Sequence, residues 1–146
     1  MDEKQKKHYE QLKNKNKDFV REKKWRNNIL LQECLTALGT NLNVLSMDKQ
    51  RDILCGFNTK IVNLQNAGRR EIGSIEEIIP EWNEKIYIIW DEASLPVVQT
   101  DLESIKGNED DIKAVAFETW FVSESLTKFI HFRHDDKIIE FVMEHF

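Results

Sequence analysis

The stretch that decides the fold runs from Lys85 to Val98 and reads Lys-Ile-Tyr-Ile-Ile-Trp-Asp-Glu-Ala-Ser-Leu-Pro-Val-Val. Ile86 to Trp90 form an unbroken run of β-branched and aromatic residues. Five such residues are too few for a buried helix and suit a pleated sheet, so the run predicts a buried strand. Asp91 and Glu92 end it with two carboxylates, and Ser94 to Pro96 break the chain into a loop. A rigid strand therefore hands over an acidic loop.

Outward from that strand, the chain is 146 residues long. This length fits a single domain over 1–146, able to bury roughly 70% of its unfolded-chain surface in one core. No apolar run reaches the roughly 18 residues of a membrane span. No apolar signal-peptide segment precedes residue 28, so the expected location is the cytoplasm. Cys34 and Cys55 lack C-x-x-C spacing and read as reduced, mostly buried, small apolar side chains.

The net charge of −5 hides an uneven distribution. Residues 1–27 hold ten Lys/Arg against five Asp/Glu, a balance of +5, whereas residues 71–118 hold thirteen Asp/Glu against three Lys, a balance of −10. The field around the decisive strand attracts cationic partners and repels phosphate backbones.

Residues 4–38 predict a helix from apolar spacings of three, four and seven, with Gly39 as its stop. Its first 27 residues are thin in apolar positions and read as a basic, solvated helical arm. A second helix starts at the N-cap Ser46, with Asp48 in the first turn, Ile53, Leu54 and Phe57 inward, and Gly56 with Asn58 ending it. Ala67-Gly68-Arg69-Arg70 reads as a surface loop. Ser74 to Ile79 reads as a short acidic helix with a Ser74-x-x-Glu77 capping box, closed by Pro80, and Thr100-x-x-Glu103 begins another. Ile112 to Val122 reads as a strand, as does Thr127 to His134. Asp135-Asp136 makes the hairpin turn, and Ile138 to Met143 closes the sheet. The expected fold is α+β: N-terminal helices packed on a small, mainly antiparallel C-terminal sheet. The helical half covers about 4–80 and the β-rich half about 81–146, with the sheet covered mainly on one side by the long helix.

Three chemical readings compete. His131-x-x-His134-Asp135-Asp136 gathers metal-type residues, but strand positions 131 and 134 point to opposite faces. Asp91 with Asp111-x-Lys113 has the residue types of a metal-dependent nuclease, yet the pattern is short and the surrounding charge repels nucleic acid. The basic arm suits a nucleic-acid-binding regulator, although Glu10, Asp18 and Glu22 interrupt it. Gly-rich phosphate loops, G-x-S-x-G and H-E-x-x-H are missing from the sequence. What remains is an acidic surface with Trp82, Tyr87, Trp90 and Trp120 among Glu81, Glu84, Asp91, Glu92 and Glu118. Aromatic anchors ringed by steering carboxylates suit an interface with a basic protein. Trp90 is the member of that set expected in the core.

Two blocks carry a resemblance. The first is Tyr87-Ile-Ile-Trp-Asp-Glu-Ala-Ser-Leu-Pro-Val-Val followed by Thr100-Asp-Leu; the second is Asp110-Asp-Ile-Lys-Ala-Val-Ala-Phe-Glu-Thr-Trp. Together they resemble the signature of bacterial immunity proteins that neutralise polymorphic toxins of contact-dependent inhibition systems or LXG-type secreted toxins. Phe129-Ile-His-Phe-Arg-His-Asp-Asp-Lys-Ile-Ile is similar to that family's closing hairpin. The resemblance spans about residues 72–142. It implies a cytoplasmic, non-catalytic antitoxin, without cofactor, that binds the C-terminal domain of its toxin, often a nuclease. The charge pattern agrees, because a nuclease binds phosphate and presents a cationic cleft. The expected toxin-binding residues are Asp91, Glu92, Asp110, Asp111 and Glu118, with Trp120 as an anchor. A rival placement uses the Arg69-Arg70 loop and basic arm against an acidic toxin surface.

Overall fold

The computed structural model describes residues 3–5, 28–39, 42–90, 95–133 and 135–143. In chain order its elements are α1 (Ile29–Leu38), β1 (Asn43–Val44), α2 (Met47–Ile61), β2 (Gly68–Ile72), β3 (Ile86–Trp90), β4 (Val98–Thr100), α3 (Leu102–Ile105), α4 (Glu109–Lys113), β5 (Thr119–Ser123), β6 (Lys128–Phe132) and β7 (Ile138–Val142). Single 3-10 turns lie at Leu64–Asn66, Ile75–Glu77 and Ile79–Glu81. The seven strands form one antiparallel sheet in the order β1-β4-β3-β5-β6-β7-β2. This is the expected α+β architecture. Residues 6–27, most of the expected basic arm, lie outside the described residues. Among the described residues no helix is long and apolar enough to cross a membrane.

All five residues of β3 are buried. Strand alternation sends Ile86, Ile88 and Trp90 to one face and Tyr87 and Ile89 to the other. The first face holds the larger core, where they meet Leu31, Cys34 and Leu38 of α1, Leu102 and Ile105 of α3, Ile112 of α4, and Phe121, Ile130 and Phe132. Phe121 and Phe132 pack edge to face at 4.7 Å between centroids, a favoured aromatic arrangement. On the second face Tyr87, Ile89, Val122 and Phe129 lie under Leu45, Phe57 and Leu64. The first face keeps the larger share of the core, as expected, but the long helix does not cover the sheet alone: α2 covers the second face. β1 pairs with β4 at the sheet's edge, so the chain rounds that edge between α1 and α2 and covers both faces.

Extended backbone at Asn28 interrupts the helix expected over 4–38, whereas α2 starts at Ser46 as expected. Asn28 caps α1 by accepting from Leu31 N at 3.0 Å, and Gly39 ends it at φ +76°. Ser46 caps α2, accepting from Lys49 N at 3.4 Å. Gly56 and Asn58 do not end α2, which continues to Ile61. Gly56 instead allows close approach, since a Cβ there would lie 2.8 Å from Leu126 Cδ1.

Other elements differ from expectation for local physical reasons. Gly68 to Arg70 are the first half of β2, not a loop; as an edge strand it exposes four of its five residues and shows no apolar alternation. Ser74 makes no capping bond, and Glu77 instead accepts from Gly73 N at 3.1 Å, so this segment forms two 3-10 turns with Pro80 inside the second. Asp101, not Thr100, caps α3, accepting from Ser104 N at 2.8 Å. The stretch read as a strand over 112–122 begins as α4. Ile112 and Val115 enter the core at a helical spacing of three, and Phe117 is 82% exposed. β7 does not close the sheet, because β2 pairs along its outer side.

One buried polar residue ties the loop after β3 to the second face. Gln50 of α2 donates from Nε2 to Leu95 O at 3.4 Å and accepts at Oε1 from Val97 N at 3.2 Å. Replacing Gln50 by Leu keeps the volume and strands both backbone groups. The expected loss is about 1–3 kcal/mol of stability in urea denaturation; an unchanged midpoint would show that the clamp is dispensable.

Candidate functional site

The last rung of the sheet runs Trp90, Thr119, Phe132, Ile138. From this end the chain leaves β3 toward Asp91 and enters β5 from Glu118. α4 is held over the same end. Trp90 Nε1 donates to Ile112 O at 3.0 Å, and Lys113 Nζ lies 5.9 Å from the Phe132 ring centre. The first turn of α4 carries Glu109, Asp110 and Asp111, and the last two are exposed. Carboxylates in a helix's first turn are favoured by the backbone dipole, so the acidic cluster also supports the short helix.

Asp91, Glu92 and His134 lie outside the described residues. The other four expected toxin-binding residues share this end of the sheet but not one face. Asp110 and Asp111 belong to the α1 side, where the Asp111 charge reaches Cys34. Burial, with Asp111 adding to it, pushes the Cys34 thiol up to about 12, which makes it inert as a nucleophile. Both cysteines are free; Cys55 is exposed, contrary to expectation. Glu118 and Trp120 belong to the second face. Trp120 is half-buried, meeting Phe57 edge-on at 5.3 Å, stacking on His131 at 3.9 Å and lying 6.2 Å from Phe141. Its ring is thus largely engaged within the fold. Glu118 Oε2 stands 3.2 Å from His131 Nε2, at ion-pair distance but without an aligned hydrogen bond.

Tyr87 and Trp82 join Trp90 in the interior, so the expected aromatic-studded surface reduces to Trp120. Trp82 serves a polar network that the sequence reading missed. Glu140, with a side chain 5% exposed, accepts from Arg70 Nε at 2.7 Å and from Trp82 Nε1 at 3.1 Å. Arg70 Nη2 also reaches Glu81 Oε2 at 3.2 Å. A carboxylate on the core face of a strand is tolerable only when its oxygens are satisfied this way. Its signal was the acid inside Ile138-Ile-Glu-Phe-Val.

The opposite end of the sheet also carries acids. Glu84 and Lys85 border two adjoining open clefts. One, of about 510 Å³, is flanked by Asp101 and Glu103, and the other, of about 650 Å³, by Gln99, Glu124 and Ser125. Several of these groups already work inside the fold. Glu84 accepts from Ser125 N at 2.7 Å, Glu124 accepts from Gln99 at 3.3 Å, and Asp101 caps α3. The Asp111-x-Lys113 pattern does not converge, because residues two apart on a helix diverge. Among the described residues no group of three or more His, Cys, Asp or Glu is placed to hold a metal ion.

Comparison with known families places these features in context. The family model described as CdiI immunity protein EcoliA0-like matches residues 28–141, from the N-cap of α1 into β7. No curated protein matches the chain.

The His131 ring yields a pH prediction. Burial holds its pKa below the ordinary 6.5, against the upward pull of Glu118. The unfolded chain therefore binds a proton that the folded one resists, so this contribution is present above pH 6.5 and lost as pH falls through the folded value. Stability of the native protein should drop as the pH falls below 6.5 more steeply than that of His131→Phe; parallel denaturation profiles would contradict the assignment.

Proposed function

The chain belongs to the CdiI immunity protein family and is an immunity protein that neutralises a toxin; we propose that this toxin is a nuclease, and that the protein blocks it without catalysis by covering it with the acidic end of its sheet. The observation that carries this reading is the exposed Asp110-Asp111 turn of α4, pinned by Trp90 beside the point where Asp91 and Glu92 leave β3. A nuclease must bind phosphate and so presents a cationic cleft. Fixed carboxylates opposite that cleft steer the encounter and compete with nucleic acid for the same charges. The short α4 rests on a fully buried strand, so little conformational freedom is lost on docking. A toxin domain capping this end meets Asp110 and Asp111 on one side and Glu118 and Trp120 on the other, and Asp91 and Glu92 complete the proposed set of contacts. The site of action is the cytoplasm, where such a toxin finds its nucleic-acid substrate.

A second placement rests on the clefts at the opposite end, bordered by Glu84, Asp101, Glu103 and Glu124. Their carboxylates are largely committed to internal bonds, which favours the α4 end.

The two placements separate by charge reversal during co-expression with the toxin domain. Asp91→Lys/Glu92→Lys/Asp111→Lys, with its circular dichroism unchanged, should lose protection and bind the toxin at least about tenfold more weakly, since close interfacial charge pairs couple by about 1.5 kcal/mol or more. Glu103→Lys/Glu124→Lys should protect as well as the native chain. The reverse outcome moves the interface to the far end, and undiminished protection by both variants removes the acidic-surface reading.

A further inference from the structure

β2 ends the sheet, and the hydrogen bonds further in reveal what its outer edge presents. Arg133 N donates to Lys137 O at 2.9 Å, and Met143 N donates to Thr127 O at 2.8 Å, at the two ends of the β6–β7 ladder. Antiparallel alternation then turns the backbone groups of Ile139 and Phe141 toward β6 and those of Ile138, Glu140 and Val142 toward β2. The latter three pair with Ile72, Arg70 and Gly68. Arg69 and Glu71 must therefore point their N–H and C=O groups away from β7, and among the described residues no strand lies beyond β2.

We propose that this edge pairs with the β2 edge of a second copy of the chain, antiparallel, about a twofold axis through Arg70. In that register Arg69 faces the partner's Glu71 and Glu71 faces the partner's Arg69. Both are the outward-bonding residues, so the two pairs make four backbone hydrogen bonds. Their side chains share one face, where directly opposed residues stand about 5 Å apart at Cβ and opposite charges attract. Arg69 is exposed and lies with its guanidinium 5.8 Å from the Phe141 ring centre. On the other face the two Arg70 side chains oppose each other, but each is already neutralised by Glu140 at 2.7 Å and Glu81 at 3.2 Å.

The charge order selects the occupant. A parallel, in-register mate would set Arg69 against Arg69 and Glu71 against Glu71, which is repulsive. The sequence Arg-Arg-Glu is complementary to its own antiparallel copy. The ladder is short, because the flanking N–H groups are taken: Ala67 N donates to Leu64 O and Gly73 N to Glu77 Oε2. The dimer is accordingly weak and concentration-dependent, and it leaves the α4 end free.

Sedimentation velocity on the full chain, from about 10 μM to about 1 mM, tests this. The native chain should shift from monomer to dimer over that range. Glu71→Arg and Arg69→Glu should each weaken the association at least about tenfold, and the double variant Arg69→Glu/Glu71→Arg should restore it. Glu71→Pro removes one outward N–H without touching the β7 ladder and should abolish it. A monomer throughout, a dimer indifferent to the single reversals, or no restoration in the double variant overturns the proposal. So does a monomeric chain whose toxin binding is lost in Glu71→Pro, since the edge then belongs to the toxin.

Discussion

The burial of β3 on both faces is the constraint on which the other elements depend. Each residue from Ile86 to Trp90 is withdrawn from water, and a fully buried side chain of this size is worth about 1.5–3 kcal/mol relative to exposure. That gain requires cover on two sides at once. α1 supplies it beneath Ile86, Ile88 and Trp90, while α2 supplies it above Tyr87 and Ile89. The two-residue β1 follows from this need, because a chain that must serve both faces has to pass round an edge. The strand's far end then sets two further pieces. The Trp90 indole fixes α4, and Gln50 fixes Leu95 and Val97 where the chain returns toward β4.

β3 was legible in the sequence because its signal is composition alone: five consecutive apolar residues with strand-forming side chains. Caps of the Asn28 and Ser46 kind follow equally simple rules, and Ser46 was read correctly. β2 was not legible, since an edge strand with Arg69, Arg70 and Glu71 outermost has no apolar alternation to display. α4 was misread for the opposite reason. Apolar residues at 115, 117 and 121 fit an alternating pattern, whereas 112 and 115 fit a helical turn, and only packing decides which side chains go inside. Of the expected site, Asp110 and Asp111 could be placed at the surface from charge alone. The commitment of Trp120 to His131 and Phe57 depends on pairings between β5, β6 and α2 that sequence spacing does not encode.

Polar groups organise the β2 side of the molecule in the way apolar ones organise β3. Glu140 sits on the core face of β7 because Arg70 and Trp82 satisfy both of its oxygens. The same ion pair draws Arg70 back over the first face and removes its charge from the edge. What β2 then presents outward on the second face is one cation and one anion, Arg69 and Glu71. The buried network thereby simplifies the edge's charge pattern as well as tying β2, β7 and the second 3-10 turn together.

A toxin inhibitor must hold its fold while its binding surface tracks a particular partner, and the placement of residues here separates those demands. Within the motif blocks that carry the family resemblance, Tyr87 to Trp90 and Leu95 to Val98 are buried. Large-to-small changes there cost about 2–5 kcal/mol, a large share of a domain's stability. Asp110 and Asp111 are exposed on a short helix held by backbone and apolar contacts, where substitutions typically cost within about 0.5 kcal/mol. The core end of the motif is thus constrained by folding, and the acidic turn beside it is free to vary in charge and shape. The strand carries the family resemblance because the fold depends on it, and in the proposed interface its part is to hold α4 still through the Trp90 indole.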